Sequence, residues 1–220
     1  MVKAAGGVSR RSNSANPLGP QARLSADGLA EMERFYRTVG QPAYVRIPSV
    51  LDPSVDQDLA AAGWTREGDA LTLVGALATA PACADVECSP RPSAEWLAAS
   101  NAINGRDPAS GGAFAAVLAR LQTPGAFAAV RDGDAIGALG YGVVHGGWLC
   151  LEAVATAAEL RGRGLAGRVV SALMAWAKDQ GAQCVCLQTQ AENLSAQALY
   201  HRLGLGRELY RYHYRRKTLS

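Results

Sequence analysis

Residues 160–170 read LRGRGLAGRVV. Glycines at 162, 164 and 167 strip the backbone of side chains, arginines at 161 and 163 stand among them, and an apolar run follows at once. The first turn of a helix carries unpaired N–H groups and a partial positive charge, which together favour a phosphate. Small residues let such a group reach the main chain without meeting a Cβ. The loop sits between WLCLEAVAT (148–156), which reads as a strand, and residues 164–180, which carry helical periodicity. A chain built this way must place a strand, a bare loop and a helix mouth in direct succession.

GRGLAG (162–167) also fits G-x-G-x-x-G, the dinucleotide fingerprint, and Glu192 stands where an acidic residue would meet a ribose. That fold puts the loop at its beginning and needs several further βαβ units. After Glu192 the 220-residue chain holds little more than one helix and one strand. No G-x-x-x-x-G-K-S/T is present, which removes the P-loop nucleotide hydrolases.

The rest of the chain supplies a mixed set of elements. Upstream come a helix from 28, a strand near 43–47, a helix in the segment 58–67 that ends at its glycine, and a strand at 69–77. Downstream come helices at 93–103 and 110–121, strands at 125–133, 135–144 and 148–156, helix 164–180, strand 184–190, helix 194–203 and strand 208–216. RDGD (131–134) carries the Asp-Gly signal of a tight hairpin. An antiparallel opening followed by strand–helix–strand is α+β architecture with a mixed sheet.

An internal repeat underlies this order. Gly40 and Gly181 each end a helix, as do Gly63 and Gly204, and both pairs stand 141 positions apart; Arg66-Glu67 and Arg207-Glu208 keep the same offset. RGRGLA (161–166) falls opposite PQARLS (20–25), and Tyr200 opposite Leu59, so the first copy lacks the glycine loop and the tyrosine. CSPRPSA (88–94), with two prolines, reads as the boundary between a partial, degenerate domain (1–88) and a fuller one (89–220).

Composition narrows the setting. Hydrophobic residues make up 49% and charged residues 19%, ordinary for a globular chain, and the net charge of +3 suits an anionic ligand without demanding nucleic acid. Cys83, Cys88, Cys150, Cys184 and Cys186 lack metal-ligand spacing, so no metal is expected. No apolar run is long enough for a signal peptide or a membrane span. The expectation is reduced thiols in a cytoplasmic protein with no membrane partner. RELYRYHYRRK (207–217) interleaves cations and tyrosines, but strand alternation puts Tyr210, Tyr212 and Tyr214 on one face and Arg211, His213 and Arg215 on the other. One buried and one wet face account for that pattern without nucleic acid. Trp176 and Met174, after the glycine loop, read as core.

About thirty residues beyond the loop stands NLSAQALYHRLGL (193–205). Asn193 suits a helix N-cap, Ala196, Leu199, Tyr200 and Leu203 share one helical face, and Gly204 closes the helix. Together the two segments resemble the GNAT superfamily of acyl-CoA N-acyltransferases. Its pyrophosphate loop, Q/R-x-x-G-x-G/A, is matched by Arg161, Gly164 and Ala166. Its late helix, N-x-x-A-x-x-L-Y-x-x-x-G-F/L, is matched by Asn193, Ala196, Leu199, Tyr200, Gly204 and Leu205. The resemblance covers roughly 90–220, and the first half looks like the degenerate copy of two-domain members.

The resemblance implies a GNAT-like fold and direct transfer of an acetyl group from acetyl-CoA to a primary amine, with no covalent enzyme intermediate. It implies that Arg161, Gly162, Arg163, Gly164, Leu165, Ala166 and Gly167 hold the pyrophosphate, with Asn193 and Tyr200 beside the coenzyme. It also implies that the strand before the loop splays from its neighbour, so that main-chain groups of Val154, Ala155 and Thr156 pair with the pantetheine arm. Tyr200 then protonates the departing thiolate. Glu152 shares strand parity with Thr156, which offers it as general base or as an acidic wall for the amine; His145 and a chain of waters are alternatives. The acceptor is a small-molecule or peptide amine, bound by loops and by the helices around 93–110. The first half is available to shape that pocket, to pack, or to supply a homodimer surface. The rival from another class is a catalytically silent acyl-CoA-binding or interaction module.

Overall fold

The computed structural model describes residues 1–7, 9–77, 83 and 85–219. These fall into two compact units. The first takes Met1–Leu71, Gln190–Glu192 and the chain from Tyr210 onward; the second takes Thr72–Thr189 and Asn193–Leu209.

In the first unit, α1 (Ala26–Thr38) starts where the Ser25 hydroxyl accepts the N–H of Gly28. It buries Met32 and Tyr36, four residues apart on one face. Strand β1 (Ala43–Pro48) alternates buried and half-buried residues. α2 (Pro53–Ala61) is capped by Asp52 and buries Val55 and Leu59. These side chains join Val45, Ile47 and Trp64 in one apolar core. Strand β2 (Thr65–Ala76) begins four residues earlier than the sequence pattern suggests. The helix stops at Gly63, whose φ of 80° glycine alone takes up without strain, and the chain turns straight into extended backbone. β1 pairs antiparallel with the last strand, β8 (Arg207–Lys217), from Ala43 opposite Lys217 to Pro48 opposite Tyr212.

β8 corrects one expectation. Its cation face is wet only at Arg211: the side chains of His213 and Arg215 are only 11% and 13% exposed. Asp56 accepts Nε of Arg215 at 2.7 Å and Nη2 at 3.0 Å, and its Oδ1 lies 2.7 Å from Nε2 of His213. On the other face Arg46 stacks over the Tyr212 ring at 3.8 Å. Both rows of β8 are therefore engaged inside the unit.

The second unit carries β3 (Val86–Ser89), α3 (Ala94–Ile103), α4 (Pro108–Leu118), β4 (Gly125–Asp132), β5 (Ala135–His145) and β6 (Trp148–Thr156). After them come α5 (Leu165–Asp179), β7 (Cys184–Gln190) and α6 (Leu194–Arg202). Its strands lie in the order β2-β7-β6-β5-β4-β3. β3 to β6 pair antiparallel and β6 with β7 parallel, so the sheet is mixed, as expected. The RDGD turn closes the β4–β5 hairpin, with Asp132 opposite Ala135 and Gly133 at φ 61°. The proline-bearing stretch 88–94 turns from β3 into α3 inside this unit, and the two units divide between Leu71 and Thr72.

α5 covers one face of β4, β5 and β6 with Val169, Val170, Leu173 and Met174 buried, while Trp176 is half-buried. Burial of each such aliphatic side chain contributes about 1.5–3 kcal/mol. α3 and α4 cover the other face. There the indole of Trp96 donates to the carbonyl of Ala128 at 3.0 Å and packs against Phe114, Phe127 and Tyr141.

Candidate active site

β6 is where the sheet opens. Its parallel ladder with β7 runs from Trp148 opposite Cys184 to Leu151 opposite Leu187 and ends there. β6 continues to Thr156 and β7 to Gln190, so the two strands part.

On its other edge β6 carries a bulge. Tyr141 of β5 faces Glu152 and Leu139 faces Ala155, so Gly140 alone stands against Ala153 and Val154. Ala153 adopts φ 52°, a left-handed conformation unusual for a residue with a Cβ. Gly140 makes this possible, because a Cβ there would meet Cγ2 of Val154 at 3.0 Å and Cγ1 of Val169 at 3.1 Å. The extra residue overturns the parity that joined Glu152 to Thr156. Glu152 shares its face with Tyr141 and Ala155, the side covered by α3 and α4, whereas Thr156, opposite Ala138, takes the other.

The glycine loop follows a single turn of 3-10 helix, Ala158–Leu160. Gly162 and Gly164 adopt φ of 80° and 76°, with no atom within 4 Å of where a Cβ would stand. Gly164 is the N-cap of α5, and no side chain caps that helix. The first N–H groups of α5 are thus left for a ligand or for water. Nε of Arg161 points back to the carbonyl of Thr156 at 3.5 Å. α6 packs closely against this helix mouth, a Cβ on Gly167 standing 3.3 Å from Cδ1 of Leu199. Asn193 caps α6 by accepting the Ala196 N–H at 3.1 Å.

These elements enclose a cleft of about 540 Å3. Val154, Ala155, Thr156, Arg161, Gly162, Gly164, Leu165, Ala166, Gly167, Asn193 and Tyr200 all line it. Arg163 does not; it is exposed, with its guanidinium 3.7 Å from Asp132. Glu152 is half-buried and outside the lining, yet its charge reaches the Tyr200 hydroxyl. Burial first, and then that charge, push the Tyr200 phenol up to about 12. His145 is at the opposite end of β6, across from Trp148, roughly 20 Å from Val154 at the ~3.3 Å rise of a strand residue. Ile103 and Asn104, at the end of α3, also line the cleft, and no local motif singles them out. Among the described residues no three His, Cys, Asp or Glu side chains gather as metal ligands, and no helix is long and apolar enough to cross a membrane.

The mixed sheet with its splayed strand pair, and the uncapped helix behind a bare loop, have the fold of GCN5-related N-acetyltransferases. Comparison with known proteins agrees, and the chain belongs to the family described as probable histone acetyltransferase Rv0428c C-terminal, whose model matches residues 1–216. It is 25% identical over 223 residues to the uncharacterized N-acetyltransferase YobR of Bacillus subtilis (strain 168), covering 99% of this chain and 89% of that one. Among solved structures it is similar to a GCN5-related N-acetyltransferase from Kribbella flavida, with TM-score 0.67 and 18% identity over 94% of this chain and 82% of that one. It is also similar to a tandem GNAT protein from the clavulanic acid biosynthesis pathway, with TM-score 0.68 and 12% identity over 88% of this chain and 69% of the other.

Proposed function

We propose that this enzyme transfers the acetyl group of acetyl-CoA directly to a primary amine in the cleft between β6, α5 and α6. The observation that carries the reading is the end of the β6–β7 ladder at Leu151 and Leu187, directly beside the uncapped mouth of α5 and the buried Tyr200. The N–H groups of Leu165, Ala166 and Gly167 suit a diphosphate, with Arg161 adding charge at the rim. Val154, Ala155 and Thr156, beyond the last β7 rung and lining the cleft, offer main-chain groups to a pantetheine arm.

Tyr200 supplies the proton to the departing thiolate. With its pKa near 12, the phenol is protonated throughout the working range and is a ready donor. Glu152 takes the proton of the substrate ammonium and presents negative charge to the incoming amine. It works from the α3–α4 face, so the acceptor enters on that side, past Ile103 and Asn104. The family description names histones; a protein lysine amine therefore stands beside polyamines, amino acids and aminoglycosides as acceptor class.

The first half reads as a decayed copy of the catalytic one. α2 (Pro53–Ala61) and α6 (Leu194–Arg202) have equal lengths and stand 141 positions apart, as do the ends of α1 and α5 at Thr38 and Asp179. Leu59 occupies the place of Tyr200, and α1 is capped by Ser25 with no glycine loop before it. The deciding experiment follows thiol release from acetyl-CoA across a panel of amines, with melting temperature read in parallel. Stabilisation by acetyl-CoA with no turnover on any amine points to a binding module instead.

A further inference from the structure

The last two rungs of the β6–β7 ladder place Cys150 opposite Cys186 and then Leu151 opposite Leu187. The two sulfurs are 3.0 Å apart, with no room for an atom between them. Both are half-buried and both are reduced thiols. Directly paired residues on neighbouring strands are separated by about 4.8 Å, inside the Cα window of about 4.4–6.8 Å in which a disulfide closes. Neither thiol has a place in the acetyl-transfer chemistry, and the pair stands one rung before the strands part.

We propose that Cys150 and Cys186 form a dithiol site that hydroperoxides oxidise to an intramolecular disulfide, stapling β6 to β7 where the cleft begins. One thiolate attacks the peroxide O–O bond, giving a sulfenic acid and hydroxide. The second sulfur then displaces the sulfenic oxygen, forming the S–S bond. With hydrogen peroxide, two thiols and one peroxide become one disulfide and two waters.

The site favours the first step. Donation from the Cys186 thiol holds Cys150 down, to about 7, against the opposing effect of burial; the same bond, with burial, pushes Cys186 up. Cys150 is thus the more readily ionised of the two, against the opposing charge of Glu152, and its resolving partner already touches it. Glu152 follows Cys150 by two residues on the same face of β6, so the staple restrains the strand that presents it.

The test reads thiol chemistry alone and stands apart from acetyl transfer. The reduced full-length chain is treated with hydrogen peroxide near pH 7.5, remaining thiols are alkylated, and non-reducing peptides are mapped by tandem mass spectrometry. The expected result is loss of two of the five alkylatable cysteines, a bridge joining Cys150 to Cys186, and recovery of both thiols with dithiothreitol. Cys184→Ser retains the bridge; Cys186→Ser abolishes it and leaves Cys150 as a sulfenic acid trapped by dimedone. Two thiols that stay alkylatable, two that each oxidise singly to sulfinic acid, or a bridge running to Cys184 would overturn the proposal. Fragment mapping of the unaltered chain decides the matter even if a serine variant fails to fold.

Discussion

Tyr200 and Glu152 are electrostatically joined across the parted strands: the carboxylate on β6 raises the pKa of the phenol on α6, adding to the larger effect of burial. In the proposed mechanism the pair keeps a proton donor loaded beside a proton acceptor. Its behaviour on mutation separates the roles of the two groups.

Replacing Tyr200 with Phe removes the donor and little of the packing. We expect kcat to fall about 100-fold, the lower end of general-acid effects, with acetyl-CoA affinity nearly unchanged. Steady-state kinetics and coenzyme titration measure the two separately. Unaltered turnover would take Tyr200 out of the mechanism.

Glu152→Gln should flatten the acid limb of the pH–rate profile, since the proton acceptor no longer titrates. The same change lets the Tyr200 pKa fall back from about 12 toward its ordinary value, visible as an earlier tyrosinate transition in ultraviolet titration. If that transition shifts while the rate profile keeps its shape, Glu152 is an electrostatic neighbour and not the base.

Gly164→Ala forces a Cβ into φ 76° without meeting any atom, so its effect on stability is backbone strain. A cost of about 1–2 kcal/mol is expected, read as a lower melting temperature. Because Gly164 aims the first N–H groups of α5, KM for acetyl-CoA should rise as well. A variant equally stable and equally tight would show that the left-handed turn is dispensable.

Asp56 anchors the first unit. Hydrogen bonds from Arg215 lead, followed by those from His213, and together they hold its carboxyl down to about 2 against the cost of burial. A carboxylate with a depressed native pKa contributes stability above its unfolded value, and that stability is lost as pH falls through the folded one. The melting temperature should therefore drop between about pH 4 and pH 2. Asp56→Asn should cost about 2–3 kcal/mol at neutral pH and remove that acid dependence. An acid transition surviving in the variant would assign it to other groups.

Much of the molecule is legible residue by residue. Asn193, Ser25, Asp52 and Gly164 begin their helices, and Gly40, Gly63, Gly181 and Gly204 end them at positive φ. The glycine loop and the tyrosine helix are equally readable, because capping, periodicity and left-handed turns are properties of a few consecutive residues. The 141-residue offset between α2 and α6 is visible for the same reason.

Pairing between strands is not local, and there the tertiary structure decided. The bulge at Ala153 places Glu152 away from Thr156, and only the register against Tyr141 and Leu139 reveals it. The ladder's end at Leu151, the contact of Cys150 with Cys186, and the burial of His213 and Arg215 against Asp56 all depend on which segments meet. A strand's sequence states its alternation; its neighbours determine where that alternation slips, where it stops, and which face is left to chemistry.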